Sequence, residues 1–274
     1  MSLAGIVGSL IFKTTGLLLV NPAKYEVRAK QGEQDPRRAP KYPLLNYSLR
    51  SSFAEASREA GLGYLAPEIA AGAHSRRGSI ETILLPPFMG PLFASIAIAS
   101  REQERPLRVL DFGGALGETR DFVTAAFGDH IALDWNVVET DLYVQKATEL
   151  KLKEPKFFGT IEEAARRGPF DFALFSGVLQ YLDLWREPLE HPVVRKTKYI
   201  LITRVPVSDR DIPFLQTVET ADYKASYPGR VMDEATLDQS MQTTHGRALS
   251  WDLDHHMGEL GVLKAPAVLW VRRT

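Results

Sequence analysis

Val109-Leu110-Asp111-Phe112-Gly113-Gly114-Ala115-Leu116-Gly117-Glu118-Thr119 reads as a buried strand that runs into a glycine-rich turn and then into a helix. In an open α/β sheet the ligand crevice lies beyond the carboxyl ends of the strands, near the reversal of strand order, and the first strand-to-helix turn forms its floor. Glycines in such a turn let the backbone approach a ligand, while the helix behind presents free N–H groups to an anion. The letters exclude two phosphate-binding loops. Counted from Gly113, a G-x-G-x-x-G fingerprint meets Ala115 and Glu118 where glycines belong, and no Gly-Lys-Ser/Thr follows to make a Walker loop.

Downstream the same grammar repeats. Short Val/Leu/Ile/Phe-rich runs alternate with amphipathic stretches, which predicts strand–helix units and a mostly parallel sheet. Strands are expected at 108–112, 133–139, 156–158, 171–176, 198–204, 248–254 and 267–273, and helices at 117–127, 141–150, 160–167, 183–195 and 233–245. Upstream, residues 21–46 carry Pro22, Pro36, Pro40 and Pro43 and read as a linker. Beyond it Ser52 and Glu55 form a capping-box pattern, with Phe53, Ala56, Ala60 and Leu65 at helical spacing. After Pro86-Pro87 a second apolar helix is expected over 91–103. The front third therefore reads as all-helical, giving an N-terminal extension and helical lobe over 1–107 and a core over 108–274.

The 274 residues are 45% hydrophobic and 24% charged, as in an ordinary soluble globular protein, and can bury a substantial core without a staple. Thirty-three Lys plus Arg against thirty-four Asp plus Glu leave a net charge of −1, so no global field draws a nucleic acid. The absence of cysteine removes disulfides, thiolate nucleophiles and Cys-ligated zinc together and fits a reducing compartment, with the cytoplasm as default. Lys13 and Thr14-Thr15 divide the apolar first twenty residues into runs too short to span a bilayer, which leaves packing or a peripheral membrane contact. They also lack the features of a secretory signal.

The pattern D-x-G-x-x-x-G from Asp111 through Gly113 to Gly117 resembles motif I of the class I S-adenosylmethionine-dependent methyltransferases, with Ala115 where the family usually has its middle glycine. The resemblance covers 108–274 and implies a Rossmann-like seven-stranded sheet, mostly parallel with an antiparallel last strand. It implies S-adenosylmethionine as cofactor, held by Asp111, Gly113, Gly114, Ala115 and Gly117. Asp111 would face the ammonium and the N–H groups near Gly117 the carboxylate. Glu139, at the end of the second strand, would accept from the ribose hydroxyls. Phe158 would flank the adenine, or simply pack in the core, since Phe157-Phe158-Gly159-Thr160 lacks the acidic residue many members carry there. Ser176 and Gly177 would pass beneath the methionine. The cluster of Trp135 to Glu139, Phe157-Phe158, Ser176 to Tyr181 and Arg204-x-Pro206 resembles, over a smaller span, a bacterial subfamily associated with surface-polysaccharide gene clusters.

The acceptor would be a small molecule, with a sugar or glycolipid hydroxyl foremost. Methyl transfer needs in-line placement, and a hydroxyl nucleophile adds the need for a base. Gln180, Tyr181, Arg204 and His255 are the candidates, with Arg204 able to clamp an acidic acceptor. His245, His256 and Tyr227 are weaker ones, and segment 205–232 reads as a lid. Adjacent histidines on a strand face opposite ways, so His255 and His256 argue for no shared metal. Two rivals remain: a nicotinamide-dependent oxidoreductase, disfavoured by Ala115 and Glu118, and a non-catalytic S-adenosylmethionine-binding protein.

Overall fold

The computed structural model describes residues 44–65, 69, 87–219, 224–257 and 260–273; the apolar stretch 1–20 and the linker up to residue 43 lie outside them. Along the chain come β1 (Leu44–Leu49), α1 (Phe53–Glu59), a 3-10 turn (Gly63–Leu65), α2 (Met89–Ser100), β2 (Leu107–Phe112), α3 (Glu118–Phe127), β3 (Leu133–Val138), α4 (Asp141–Glu149), β4 (Lys156–Phe158), α5 (Ile161–Ala165) and β5 (Phe172–Ser176). After β5 a further 3-10 turn (Leu179–Tyr181) leads to α6 (Arg186–Glu190), α7 (Pro192–Lys196), β6 (Tyr199–Thr203), β7 (Val207–Ser208), β8 (Ile212–Glu219), β9 (Lys224–Asp233), α8 (Glu234–Gln242), β10 (His245–Trp251), β11 (Asp254–His256), β12 (Val262–Lys264) and β13 (Ala267–Arg272).

Seven strands form one sheet in the order β4-β3-β2-β5-β6-β13-β10. β2 to β6 pair in parallel, and β13 runs antiparallel to both β6 and β10, as the resemblance implies for the last strand. Side chains alternate between two buried faces, which is why these strands read as continuous apolar runs. Leu110, Phe175, Ile202 and Trp270 pack on one face with Ile161, Leu189, Val194 and Leu237 of the helices. Val109, Trp135, Leu174 and Leu201 pack on the other with Met89, Leu92 and Ile96 of α2 and Val123 of α3. From β2 the chain builds outward to β4 and then returns to place β5 on the far side of β2. The order therefore reverses between β2 and β5, above the glycine turn.

The structure revises several expectations. The helix expected over 183–195 is two, divided at His191-Pro192, with Pro192 opening α7. The sixth strand begins at His245, three residues earlier than expected. The front third is not wholly helical, because β1 pairs antiparallel with β8. Only Tyr47 is buried along its described side chains, while Leu45 and Leu49 are 44% and 55% exposed, so no alternation marks it as a strand. Segment 205–232 contains β7, β8 and most of β9 rather than an irregular lid, and β8 and β9 pair antiparallel from Ile212↔Val231 to Glu219↔Lys224. A second sheet results, in the order β1-β8-β9-β7-β12-β11. β8 does alternate, burying Phe214, Gln216 and Val218, but its central buried position is polar and Pro213 stands near its start.

Candidate active site

The turn after β2 is built by its own packing. Gly113 and Gly117 have φ of 73° and 84°, in the left-handed region that glycine tolerates. A Cβ on Gly113 would run into Val178, and one on Gly117 into Pro155. Gly117 N–H donates to Gly114 O at 2.9 Å and closes the turn. Ala115 also has positive φ, 49°, so the residue standing in place of the middle glycine adopts a glycine-like backbone. Gly114 lies directly over the Asp111 carboxylate, where any side chain would collide. Asp111 is 1% exposed, and its Oδ2 accepts from Trp135 Nε1 at 2.9 Å. Burial pushes its carboxyl up to about 7; the nearby Glu139 charge adds to this and the indole bond opposes it. Asp111 thus sits behind the turn, braced by β3.

Glu139 follows β3 and is buried beside the same turn. Its Oε1 accepts from Ala115 N at 3.0 Å and from the Tyr64 hydroxyl at 3.2 Å, and its Oε2 accepts from Thr140 N at 2.8 Å. Burial raises its pKa against the pull of those donors. Tyr64, from the 3-10 turn after α1, stacks on Tyr143 of α4 with centroids 4.7 Å apart. Tyr64 is 38% exposed, yet surrounding protein raises its pKa well above the ordinary tyrosine value, as befits a group lining a cleft. Phe158 is half-buried and packs against the core face that holds Val138 and Ile161, while its carbonyl accepts from Glu139 N at 3.0 Å.

At the ends of β5 and β6 lie Ser176, Gly177, Gln180, Tyr181 and Arg204. Gly177 has φ of 69° and donates to Thr203 O at 2.9 Å. Gln180 donates through Nε2 to Arg204 O at 3.2 Å. Ser176 Oγ, Gln180 Oε1 and Thr203 Oγ1 are buried with no hydrogen-bond partner among the described residues. Tyr181 donates its hydroxyl to Gln216 Oε1 of β8 at 2.6 Å, and its ring centre lies 6.0 Å from that of Tyr227 in β9. The Arg204 guanidinium lies over the Phe88 ring at 4.6 Å. His255 lies on β11 of the second sheet, where burial first, then the positive charges of Arg204 and His256, lower its pKa. The direction of the shift favours the neutral imidazole.

The structure thus gathers Asp111, Gly113, Gly114, Ala115, Gly117 and Glu139 around one turn, and Ser176, Gly177, Gln180, Tyr181 and Arg204 beside it. His245 is taken away from this group: it is fully buried, with Nε2 2.9 Å from Thr197 O and Nδ1 2.8 Å from Thr244 Oγ1. Tyr64, Tyr143, Thr203 and Gln216 escape the sequence reading. Tyr64 stands in the run Gly61-Leu62-Gly63-Tyr64, where glycines just past a helix were the available signal of a tight turn. Among the described residues no group of three His, Asp or Glu is placed to hold a metal, and no helix is long and apolar enough to cross a membrane. A separate cavity of about 10 Å³ between α8 and β13, lined by Leu237, Asp238, Arg247 and Trp270, holds at most one water.

The class these features define is an open α/β protein whose strand order reverses above the glycine turn. Neither a family model nor a curated protein matches the sequence. Among solved structures, the chain is similar to a 1,6-didemethyltoxoflavin-N1-methyltransferase of Burkholderia thailandensis with bound 1,6-didemethyltoxoflavin and S-adenosylhomocysteine. That pair shows 14% identity over 83% of this chain and 93% of that one, with a TM-score of 0.44. It is also similar to an amino pentose methyltransferase of calicheamicin biosynthesis from Micromonospora echinaspora, bound to S-adenosylmethionine: 11% identity, 74% and 96% coverage, TM-score 0.41. A glycopeptide N-methyltransferase complexed with sinefungin gives 10% identity, 66% and 87% coverage, and TM-score 0.44. Likenesses at this level assign nothing to this chain.

Proposed function

We propose that the protein moves a methyl group from S-adenosylmethionine to a small-molecule acceptor, foremost a hydroxyl of a sugar or glycolipid intermediate. One observation carries the reading. Glu139, at the carboxyl end of β3, is tied to the glycine turn through Ala115 N and already accepts from a hydroxyl, that of Tyr64. A ribose hydroxyl asks for the same acceptor at the same place, so the residues present suit the nucleoside. When bound, S-adenosylmethionine supplies an electrophilic methyl on a sulfonium.

The chain's own residues do the rest. Glu139 orients the ribose, and the turn from Gly113 to Gly117 keeps the amino-acid end close to the backbone. Asp111 acts on the ammonium from behind the turn, and the incoming positive charge favours ionisation of its raised carboxyl. Gln180 Oε1 and Ser176 Oγ, buried without partners, supply polar contacts beside Gly177. The neutral His255 takes the proton of the acceptor hydroxyl. The part before residue 108 contributes Tyr64 to the cleft, and the β8–β9 hairpin contributes Gln216 and Tyr227.

Thermal shift tests the cofactor. S-Adenosylhomocysteine should raise the melting temperature and NAD should not, by mass action on the native state. Asp111→Ala and Glu139→Ala should each weaken S-adenosylhomocysteine binding while retaining the fold by circular dichroism. Unchanged affinity in both variants would remove the proposal. Incorporation of labelled methyl into extract components tests transfer; binding without incorporation across broad acceptor panels would leave an adenosyl-binding protein instead.

A further inference from the structure

Strand-end arginines usually end in surface ion pairs, but the Arg204 guanidinium forms neither an ion pair nor a hydrogen bond among the described residues. Its residue is held unusually: φ is 62°, a left-handed backbone that a Cβ disfavours. Such an outlier persists only where its surroundings over-determine it. Here Gln180 grips the Arg204 carbonyl, and Phe88 lies against the guanidinium at 4.6 Å. Stacking occupies the face of the planar group and leaves its edge, which carries the N–H donors, free for a planar or tetrahedral oxyanion.

The surroundings have a cation's needs only half met. Gly177 lies against the guanidinium, where an added Cβ would come within 3.3 Å of its Cζ, so backbone borders it closely. Arg204 is exposed to solvent, yet surrounding protein lowers its pKa, the combination expected of a side chain in a concave wall. Tyr181, Tyr64 and Glu118 act on it electrostatically, but among the described residues no carboxylate comes within ion-pair distance. His255 adds no negative charge and feels the arginine's own field. A partly desolvated cation without a counter-ion is costly, and an incoming anion removes that cost.

We propose that Arg204 is the anion anchor of the acceptor site, so that the molecule methylated carries a carboxylate or a phosphate that docks on the guanidinium edge beside Gly177. The inference rests on the reading of this cleft as a methyl-acceptor site and narrows its substrate to anionic sugars or glycolipids. Arg204 sets specificity and orientation and takes no part in bond making.

Phenylglyoxal modification of the full chain at constant ionic strength, mapped at Arg204 by peptide mass, reads the site without turnover. Glucose 1-phosphate or glucuronate should slow modification of Arg204 at least threefold, and glucose should not; which anion protects tells phosphate from carboxylate. Equal protection by glucose, or protection by neither anion, overturns the proposal. As an independent reading, Arg204→Gln should lose the anion-induced rise in melting temperature while keeping the S-adenosylhomocysteine-induced one, and Arg204→Lys should retain part of the former. An anion response that survives Arg204→Gln also overturns it. If S-adenosylhomocysteine fails to bind while anions still protect Arg204, the methyltransferase reading falls and the anion site stands.

Discussion

Two residues of the glycine turn are set against ordinary preference. Ala115 holds φ at 49°, which a Cβ disfavours, yet its N–H must point at Glu139. Ala115→Gly should therefore raise the unfolding free energy by about 0.5–1 kcal/mol in urea titrations, the relieved strain outweighing the added chain entropy. Asp111 is the second. Its folded carboxyl keeps a proton up to about pH 7, against an ordinary value of 3.8, because burial disfavours the charge. Between those values the native state binds the extra proton, so this group's contribution to stability falls as pH rises, at up to about 1.4 kcal/mol per unit, and is level above. Asp111→Asn keeps an acceptor for Trp135 and removes the titration. Relative to the wild type it should gain stability from pH 4 to 7 and hold that gain at pH 8. The resemblance points to Asp111 and Glu139 as candidates, but their partners could not be read from the sequence. Tyr64 reaches Glu139 across 75 residues of chain, and such a contact leaves no local periodicity.

At the scale of elements, legibility follows burial. β5 and β6 have both faces covered and spell themselves as nearly unbroken apolar runs, and β2 and β3 do so apart from Arg108, Asp111, Asp134 and Asn136, whereas β1, β8 and β9 pair at a partly exposed sheet. In β9, Pro228 and Gly229 look like a turn. Pro228 is tolerated because β7 flanks β9 only at Met232 and Asp233, leaving β8 as the one neighbouring strand at Pro228. Gly229 opposes Phe214, whose ring covers the position a Cβ would take. Gly229→Ala should displace that ring and destabilise the protein by about 1–3 kcal/mol in equilibrium unfolding. Because Tyr181 is tied to Gln216 on the neighbouring strand, the variant should also weaken acceptor binding more than cofactor binding.

For the whole molecule, the predicted parallel sheet and its antiparallel last strand are present, while the relation of the front part to that sheet was hidden. The apolar letters of α2 are almost continuous and name no face, so only the structure shows Leu92 and Ile96 seated on β-strand side chains. Ile96→Ala should cost about 2–4 kcal/mol, the price of a cavity in a shared core, and should lower the midpoint of a single unfolding transition without splitting it. A split transition would mean that α2 and the sheet unfold apart. Trp135, wholly buried within that core, donates its indole proton to a carboxyl that changes charge near neutrality. Ultraviolet emission from this indole should consequently drift between pH 6 and 8 in the native protein and stay constant in Asp111→Asn. Such a drift would make Trp135 an intrinsic optical reporter on the underside of the glycine turn.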